Sequence, residues 1–286
     1  MKNSASGTLM KILKEHKKKL LYTFSLVLTE NILFLLYPFF AGRSINSISN
    51  GESISALTYG VIVFFIWGVG AARRSVDTRT FSKIYANLAV SVVLAQRTEK
   101  LENSKIAARV TLSREFVDFF EHHFPVLITS TITMCGAAIM LLIIEFWTGI
   151  SCIVVMGFLC ILLPGYARKN EFLFNKLNDR LEKEVDFVSN ASRNLLKKHY
   201  SVLATLRVLL SDREAFGYLL IGTFIAVIFS ITILHMASGS SVDAGHIYAV
   251  MTYIWMFATN LDHGPQLIEK YSQLKDIGFR VNTDIT

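Results

Sequence analysis

The feature that most constrains this chain is a run of twenty residues without a charged side chain, from Pro125 to Ile144. Twenty residues of helix span the roughly 30 Å hydrocarbon core of a lipid bilayer. The segment before the run begins at Lys105, is rich in charge and shows no clear break. This pattern predicts a membrane-spanning helix that extends into the aqueous phase.

Five further apolar blocks of similar length are separated by charged segments, although the chain as a whole is only 52% apolar. A spanning segment must satisfy its own backbone hydrogen bonds, and the blocks lack the alternation of barrel strands, so we predict helices. The predicted fold is an all-α integral membrane domain over residues 20–286, after a basic N-terminal segment at 1–19. Its six spans are placed at 20–42, 54–72, 125–144, 146–166, 216–237 and 244–262.

The connections between these spans are very unequal. Ser44–Ser53 are predicted to form a short polar loop, and Glu145 alone separates the third and fourth spans. Residues 73–124 and 167–215 instead form two long connections that lack the composition of flexible linkers. Each has room for two helices of about 25 residues, which would reach close to 40 Å beyond the bilayer. The sequence therefore predicts two long helical extensions.

The distribution of basic residues predicts the orientation of the chain. If both termini lie inside, both long connections do too, and 28 of the 29 lysines and arginines then share that face, with only Arg43 opposite. Cytoplasmic segments carry such an excess of positive charge. We predict an inner-membrane protein, bacterial in type, with cytoplasmic termini. The run His16–Lys19 is expected to bind the anionic inner leaflet rather than nucleic acid.

Two stretches, YPFFAGRSINSI at the end of span one and SKIAARVTLSREFVDFFEHHFPVLITS before span three, carry a resemblance to a known family. Together with six spans and two long extensions, they resemble the six-helix transmembrane domain of ABC exporters. The resemblance implies a homodimer in which spans four and five cross onto the partner, with a central cavity. It also implies alternating access for a small-molecule or peptide substrate. The turns of the extensions would couple to ATPase domains around 102–111 and 200–211, through Glu102, Lys105, Arg109, Tyr200 and Arg207.

The phosphate-binding loop of ATPases, G-x-x-x-x-G-K-[ST], is absent, because no glycine is followed by lysine. We expect a transport subunit rather than an enzyme, without a nucleotide-binding domain or cofactor, and a separate ABC ATPase chain as its partner. One alternative is a proton-coupled transporter similar to the SbmA/BacA-type peptide transporters. Another is a membrane scaffold or accessory protein that transports nothing.

Glu30 is the sharpest candidate for a functional residue, because it lies near mid-depth of span one. A charge at that depth costs roughly 2.5–3.5 kcal/mol on insertion scales. Glu30 is therefore expected to face a cavity, to pair with a partner or to be protonated. Thr23, Glu30 and Tyr37 are seven residues apart and share one helix face. Glu30 either lines a cavity and binds a cationic substrate or a proton, or it pairs with Arg73 or Arg74.

Span six has a similar polar stripe, formed by His246, Tyr253 and Asn260. A histidine near the outer mouth could carry protons. Interfacial placement and ordinary hydrogen bonds between helices are the alternative for the stripe. Three aromatic residues could line a cavity or lie at interfaces: Trp67, Tyr248 and Trp255.

One group of metal-ligand side chains precedes span three, namely Asp118, Glu121, His122 and His123. Residues at i, i+3 and i+4 share a helix face. Acidic groups beside a membrane are commonly just solvated, so we predict no metal site.

Overall fold

The fold is taken from a computed structural model, which describes residues 17–98, 114, 117–118, 121–122, 124–182, 184, 192–238 and 242–262. Helices account for nearly all of this part of the chain, and we number them in chain order. They are α1 (Lys17–Ser49), α2 (Ser53–Ala56), α3 (Thr58–Thr98), α4 (Phe124–Ile144), α5 (Phe146–Glu182), α6 (Arg193–Ser238) and α7 (Ala244–Asp262).

The prediction of an all-α chain is confirmed for the described residues, which include no strand. Among the described residues, five helical segments are long and apolar enough to cross a membrane: Lys17–Ser49, Ser53–Asn87, Phe124–Ile144, Phe146–Leu181 and Arg193–Ser238. Helix α7 coincides with the predicted sixth span at 244–262 but is not among them. Its polar stripe lowers its hydropathy, so a sixth crossing stays a prediction.

The predicted polar loop Ser44–Ser53 is wrong over most of its length, because α1 continues to Ser49. Pro38 lies buried inside this helix and does not end it, although proline removes one hydrogen bond from the helix. The chain reverses at Gly51, whose φ of 78° suits a residue without a Cβ. Helix α2 follows at once, and the Ser44 hydroxyl donates a hydrogen bond of 3.0 Å to the Ala56 carbonyl. The reversal is therefore shorter than the sequence indicated.

Three helices are much longer than a bilayer is thick. Helix α3 has 41 residues, α5 has 37 and α6 has 46. At about 1.5 Å per residue, α6 is close to 70 Å long, more than twice the roughly 30 Å of hydrocarbon. Each helix therefore has a long part that a membrane of ordinary thickness would leave uncovered.

The turn predicted around Tyr200–Ser211 is wrong, because these residues lie inside the continuous helix α6. Leu203, Leu206 and Leu210 are buried and pack with Leu177 of α5 in one apolar cluster. Their spacing of three and four residues is that of one helix face, so burying them together requires an uninterrupted helix. Helix α6 already begins at Arg193, before this stretch.

The chain divides into two compact units. The first comprises Met1–Ile139 and Ser240–Thr286, and in it α1 packs against both α3 and α7. Leu20 of α1, Phe81 and Ile84 of α3, and Val117 form a buried cluster here. The second unit, Met140–Gly239, is built mainly on the pairing of α5 with α6.

In the second unit, polar contacts join α5 to α6 at two positions along these helices. The buried hydroxyls of Thr148 and Thr232 are 2.9 Å apart. At the other level, Arg213 donates from Nε to Asn170 Oδ1 at 2.7 Å and from Nη2 to the Tyr166 carbonyl at 3.2 Å. The Tyr166 hydroxyl in turn donates to the Arg213 carbonyl at 3.0 Å, and the guanidinium stacks on the Tyr166 ring. Arg213 is therefore the central residue of this contact.

We expect Arg213→Ala to lower the stability of the second unit by about 1–3 kcal/mol, because partly buried hydrogen bonds of a charged group are lost. The measurement is the thermal unfolding of the purified protein in detergent. Arg168→Ala, which removes an exposed arginine near the same level of α5, is the control and should leave the transition unchanged. Equal unfolding temperatures for both variants would contradict the role assigned to Arg213.

Candidate functional site

The structure pairs Glu30 of α1 with Arg73 of α3. Glu30 Oε2 lies 2.5 Å from Arg73 Nε, and the two side chains are only 23% and 22% exposed. Gly70 makes room for the pair, since a Cβ at that position would lie 2.8 Å from Glu30 Oε1. Arg74 is exposed and is not the partner. The ion pair neutralises the mid-span carboxylate, while a role of Glu30 in transport stays a prediction.

Asp77 extends this charged group by one helical turn, and sequence reasoning missed it. It follows Arg73 at the i+4 position of α3 and is only 7% exposed. The charged groups that act on its carboxylate are Arg73, Glu30 and Glu121. The available signal was the spacing of Gly70, Arg73 and Asp77, which places all three on the face of α3 that packs on α1. Oppositely charged groups thus meet inside the first unit.

The segment before α4 brings three possible metal ligands together. Asp118, Glu121 and His122 each offer one ligand atom, and these atoms lie within 4.8 Å of one another. Arg114 forms an ion pair of 3.1 Å with Asp118, one turn away. The fourth residue of the predicted group, His123, lies outside the described residues.

The three polar residues of α1 lie in different surroundings, although they share a helix face. Thr23 is completely buried. Tyr37 is half-buried, stacks on Phe34 with ring centroids 6.2 Å apart, and has Tyr59 at 5.4 Å. Its hydroxyl lies 3.5 Å from that of Tyr248 in α7. The tyrosine hydroxyls and rings form a partly open aromatic group, whereas Thr23 belongs to the packed interior.

Two residues of the polar stripe of α7 form hydrogen bonds within the protein. Tyr253 is fully buried, and its hydroxyl donates to the Leu35 carbonyl of α1 at 2.8 Å. The Asn260 amide donates within its own helix, to the Met256 carbonyl at 2.7 Å. His246 is half-buried. The alternative of interhelical hydrogen bonding therefore describes Tyr253. Trp67 and Trp255 are 71% and 62% exposed, as expected of side chains at an interface with lipid or a partner.

Helices α1 and α7 approach most closely at two glycines. A Cβ on Gly42 would overlap the Gly245 carbonyl, and a Cβ on Gly245 would overlap the Gly42 carbonyl. Asn46 Oδ1 accepts a hydrogen bond of 2.8 Å from the Gly245 backbone N–H. This N–H is one of those that the first turn of a helix leaves without an intrahelical acceptor. Asn46 thereby fixes the start of α7 against α1.

The residues predicted at the coupling turns are only partly described. Glu102, Lys105 and Arg109 lie outside the described residues. Tyr200 and Arg207 lie within α6, where the Tyr200 hydroxyl donates to Glu184 at 2.9 Å and Arg207 is exposed. Neither residue is at a turn.

Comparison with known proteins identifies the architecture. The family described as the ABC transporter transmembrane region matches residues 9–245, which is most of the chain. No curated protein matches.

Proposed function

Because the chain belongs to the family of ABC transporter transmembrane regions, we propose that it moves a solute across the membrane by alternating access as a homodimer. The family and its five long apolar helices make it an integral membrane transport subunit. The finer proposal adds a bacterial inner membrane and cytoplasmic termini, which the 28-to-1 distribution of basic residues supports.

The observation that carries this proposal is the length of α3, α5 and α6 within a chain of this family. A helix of 46 residues reaches about 40 Å beyond a bilayer if one of its ends lies at the membrane surface. Such extensions suit a transporter that receives force from outside the membrane. We therefore assign the projecting parts of these helices to contact with an ATPase.

The chain does not carry the phosphate loop of an ATPase, since none of its 16 glycines precedes a lysine. Without that loop, the backbone amides and the lysine that hold nucleotide phosphates are missing. We propose that the chain itself is not an enzyme and that a separate ABC ATPase hydrolyses ATP. Its docking site on the second unit includes the end of α5 at Glu182 and the start of α6 at Arg193, rather than the stretch 200–211.

The aromatic group around Tyr37, together with Glu30, is our proposal for the wall of the substrate cavity. Tyr37, Tyr59 and Tyr248 offer partly exposed rings and hydroxyls in the first unit. Aromatic faces bind apolar groups and cations. A cationic or amphipathic small molecule or peptide fits these properties best.

Charge reversal at the start of α6 tests the docking site. We expect Arg193→Glu to reduce by at least about tenfold the amount of ABC ATPase that co-purifies, because a charge on the contact surface would repel its partner. Arg193 is exposed at the first position of α6. The measurement is affinity purification from native membranes, with the ATPase identified by mass spectrometry through its phosphate-loop sequence.

Arg207→Glu is the matched control, since it makes the same exposed change about 21 Å further along α6. It should retain the ATPase. Equal retention by both variants would contradict a docking site at the start of α6. Failure to recover any ATPase with the unaltered chain would contradict the ATP-driven proposal itself.

The proton-coupled alternative is favoured by one specific observation, the group of Glu30, Arg73 and Asp77 inside the first unit. Carboxylates enclosed beside an arginine are the kind of group that proton relays in membranes use. In this alternative, a pH gradient across the membrane replaces ATP as the source of energy.

A further inference from the structure

The second unit contains a charged contact that the proposed transport mechanism does not use. Glu145 lies at the junction of α4 and α5, and His235 lies in the last turn of α6. Glu145 Oε2 and His235 Nδ1 are 3.4 Å apart, and the two side chains are 14% and 48% exposed. The contact therefore joins the ends of three helices, and solvent reaches its histidine.

The helices around this contact supply no competing charge. In the sequence, residues 125–144, 146–167 and 215–234 contain no acidic, basic or histidine side chain. Cysteine and tyrosine are their only titratable side chains, and both types are ordinarily neutral below about pH 8. The next charged or histidine residues along the chain after His235 are Asp243 and His246, which belong to the first unit. Glu145 and His235 therefore set the charge at this end of the second unit.

A buried hydroxyl contact fixes the helices on which the pair is mounted. Thr148 follows Glu145 by three residues, Thr232 precedes His235 by three, and the two hydroxyls are 2.9 Å apart. Both threonines are buried. Exposed ion pairs contribute little, partly because two mobile side chains must be ordered to form them. Here α5 and α6 are already joined one turn away, and Glu145 is largely shielded from solvent, so the pair is expected to contribute more.

The strength of this contact depends on the protonation of the histidine. A histidine ordinarily carries a positive charge below about pH 6.5, and a glutamate carries a negative charge above about pH 4.3. Between these values the two groups attract each other, whereas a neutral imidazole forms at most a weaker hydrogen bond. The C-terminal end of α6 also favours the positive form, because the helix dipole places partial negative charge there. Acidification into this interval should therefore strengthen the contact.

We propose that Glu145 and His235 form a pH-sensitive contact, which holds the end of α6 against the junction of α4 and α5 in acidic medium and weakens towards neutral pH. In the proposed orientation this end of the second unit faces the outside, so the contact responds to external pH. It then opposes the separation of these helix ends when the transporter opens outwards. That consequence rests on the proposed function, whereas the contact itself does not.

The test is a double-mutant cycle of Glu145→Gln, His235→Gln and the two combined, in the purified full-length chain. Thermal unfolding in detergent is measured at about pH 5.5 and about pH 8, on either side of the ordinary histidine titration. At the lower pH we expect each single variant to unfold about 2 °C or more below the unaltered chain, and the double variant no lower than the singles. At the higher pH these differences should fall by at least about half.

His235→Lys is a second variant, since it places a permanent positive charge at the same position. It should unfold above His235→Gln at both pH values, because its pairing with Glu145 no longer depends on a histidine proton. His122→Gln is the matched control. It changes an exposed histidine that precedes α4, whereas Glu145 follows that helix. Its effect should add to that of Glu145→Gln at both pH values.

Additive effects of Glu145→Gln and His235→Gln at the lower pH would overturn the proposal, because side chains that interact do not act independently. Coupling of equal size at both pH values would overturn it too, since the contact would then ignore protonation. Neither result involves transport, so both would leave the proposed function unchanged. Loss of transport with the pH-dependent coupling intact would instead contradict the proposed function alone.

Discussion

A Gly245→Ala variant is expected to lose at least about 1–3 kcal/mol of stability, the usual cost of forcing extra volume into a packed contact. The added Cβ would overlap the Gly42 carbonyl and lie 2.6 Å from Asn46 Oδ1. The first of these is a backbone atom inside α1, which cannot rotate away as a side chain can. We therefore expect α7 to separate from α1 and the protein to unfold at a markedly lower temperature in detergent.

Gly222→Ala on α6 is the matched control, because a Cβ there meets nothing within 4 Å. Alanine is the better helix former, so this variant should be neutral or slightly more stable. Gly42→Ala should resemble Gly245→Ala, since the clash is mutual. If Gly245→Ala unfolds at the same temperature as Gly222→Ala, α1 and α7 do not make this contact.

An Arg73→Leu variant is expected to lose about 1.5–3 kcal/mol, because it removes a charged partner and leaves Glu30 without a counter-ion between packed helices. The same thermal unfolding assay measures this loss. Arg74→Leu changes the neighbouring, exposed arginine and should have little effect. Adding Glu30→Gln to Arg73→Leu should recover part of the lost stability, because no carboxylate then remains unpaired.

The same residues distinguish the pairing of Glu30 from proton coupling. Proteoliposomes with an imposed pH gradient and no ATP provide the assay. If the gradient drives transport and Glu30→Gln abolishes it while the purified variant remains folded, the carboxylate itself carries protons. Normal transport by Glu30→Gln would exclude proton coupling through this residue. Failure of the Glu30→Gln/Arg73→Leu double variant to regain stability would instead contradict the ion pair as the structural role of Glu30.

The positions of several helices could be predicted because charged residues are costly in hydrocarbon. The charge-free run Pro125–Ile144 corresponds to α4, which begins one residue earlier, and the block 244–262 corresponds to α7. Glu145 is the only residue between α4 and α5, as the sequence indicated. These predictions succeed because the hydrocarbon of a bilayer excludes charged side chains. That exclusion depends only on the local composition of each segment.

The turn predicted at Tyr200–Ser211 came from the resemblance to the family, whereas the local sequence favoured a continuous helix. Leu203, Leu206 and Leu210 have the spacing of a helix face, and no glycine or proline interrupts residues 168–214. The resemblance placed the turn by counting residues from the membrane. Helix α6 instead runs without a break through this stretch, with Leu203, Leu206 and Leu210 packed against Leu177 of α5.

Tertiary structure also decides which of two adjacent arginines pairs with Glu30. Arg73 and Arg74 are adjacent in sequence but point about 100° apart around a helix, so the rotation of α3 decides which one meets α1. Asp77 was missed for the same reason, since burial is a property of the packed pair of helices. Only the structure shows its enclosed carboxylate.

The sequence by itself determined that this chain is helical and belongs in a membrane, because hydropathy acts residue by residue. Tertiary structure alone decided two further features: the contact of Gly42 with Gly245 and the pairing of Glu30 with Arg73. Each joins residues far apart in the chain. No local property of either partner specifies the other, because such a contact depends on the relative position and rotation of whole helices.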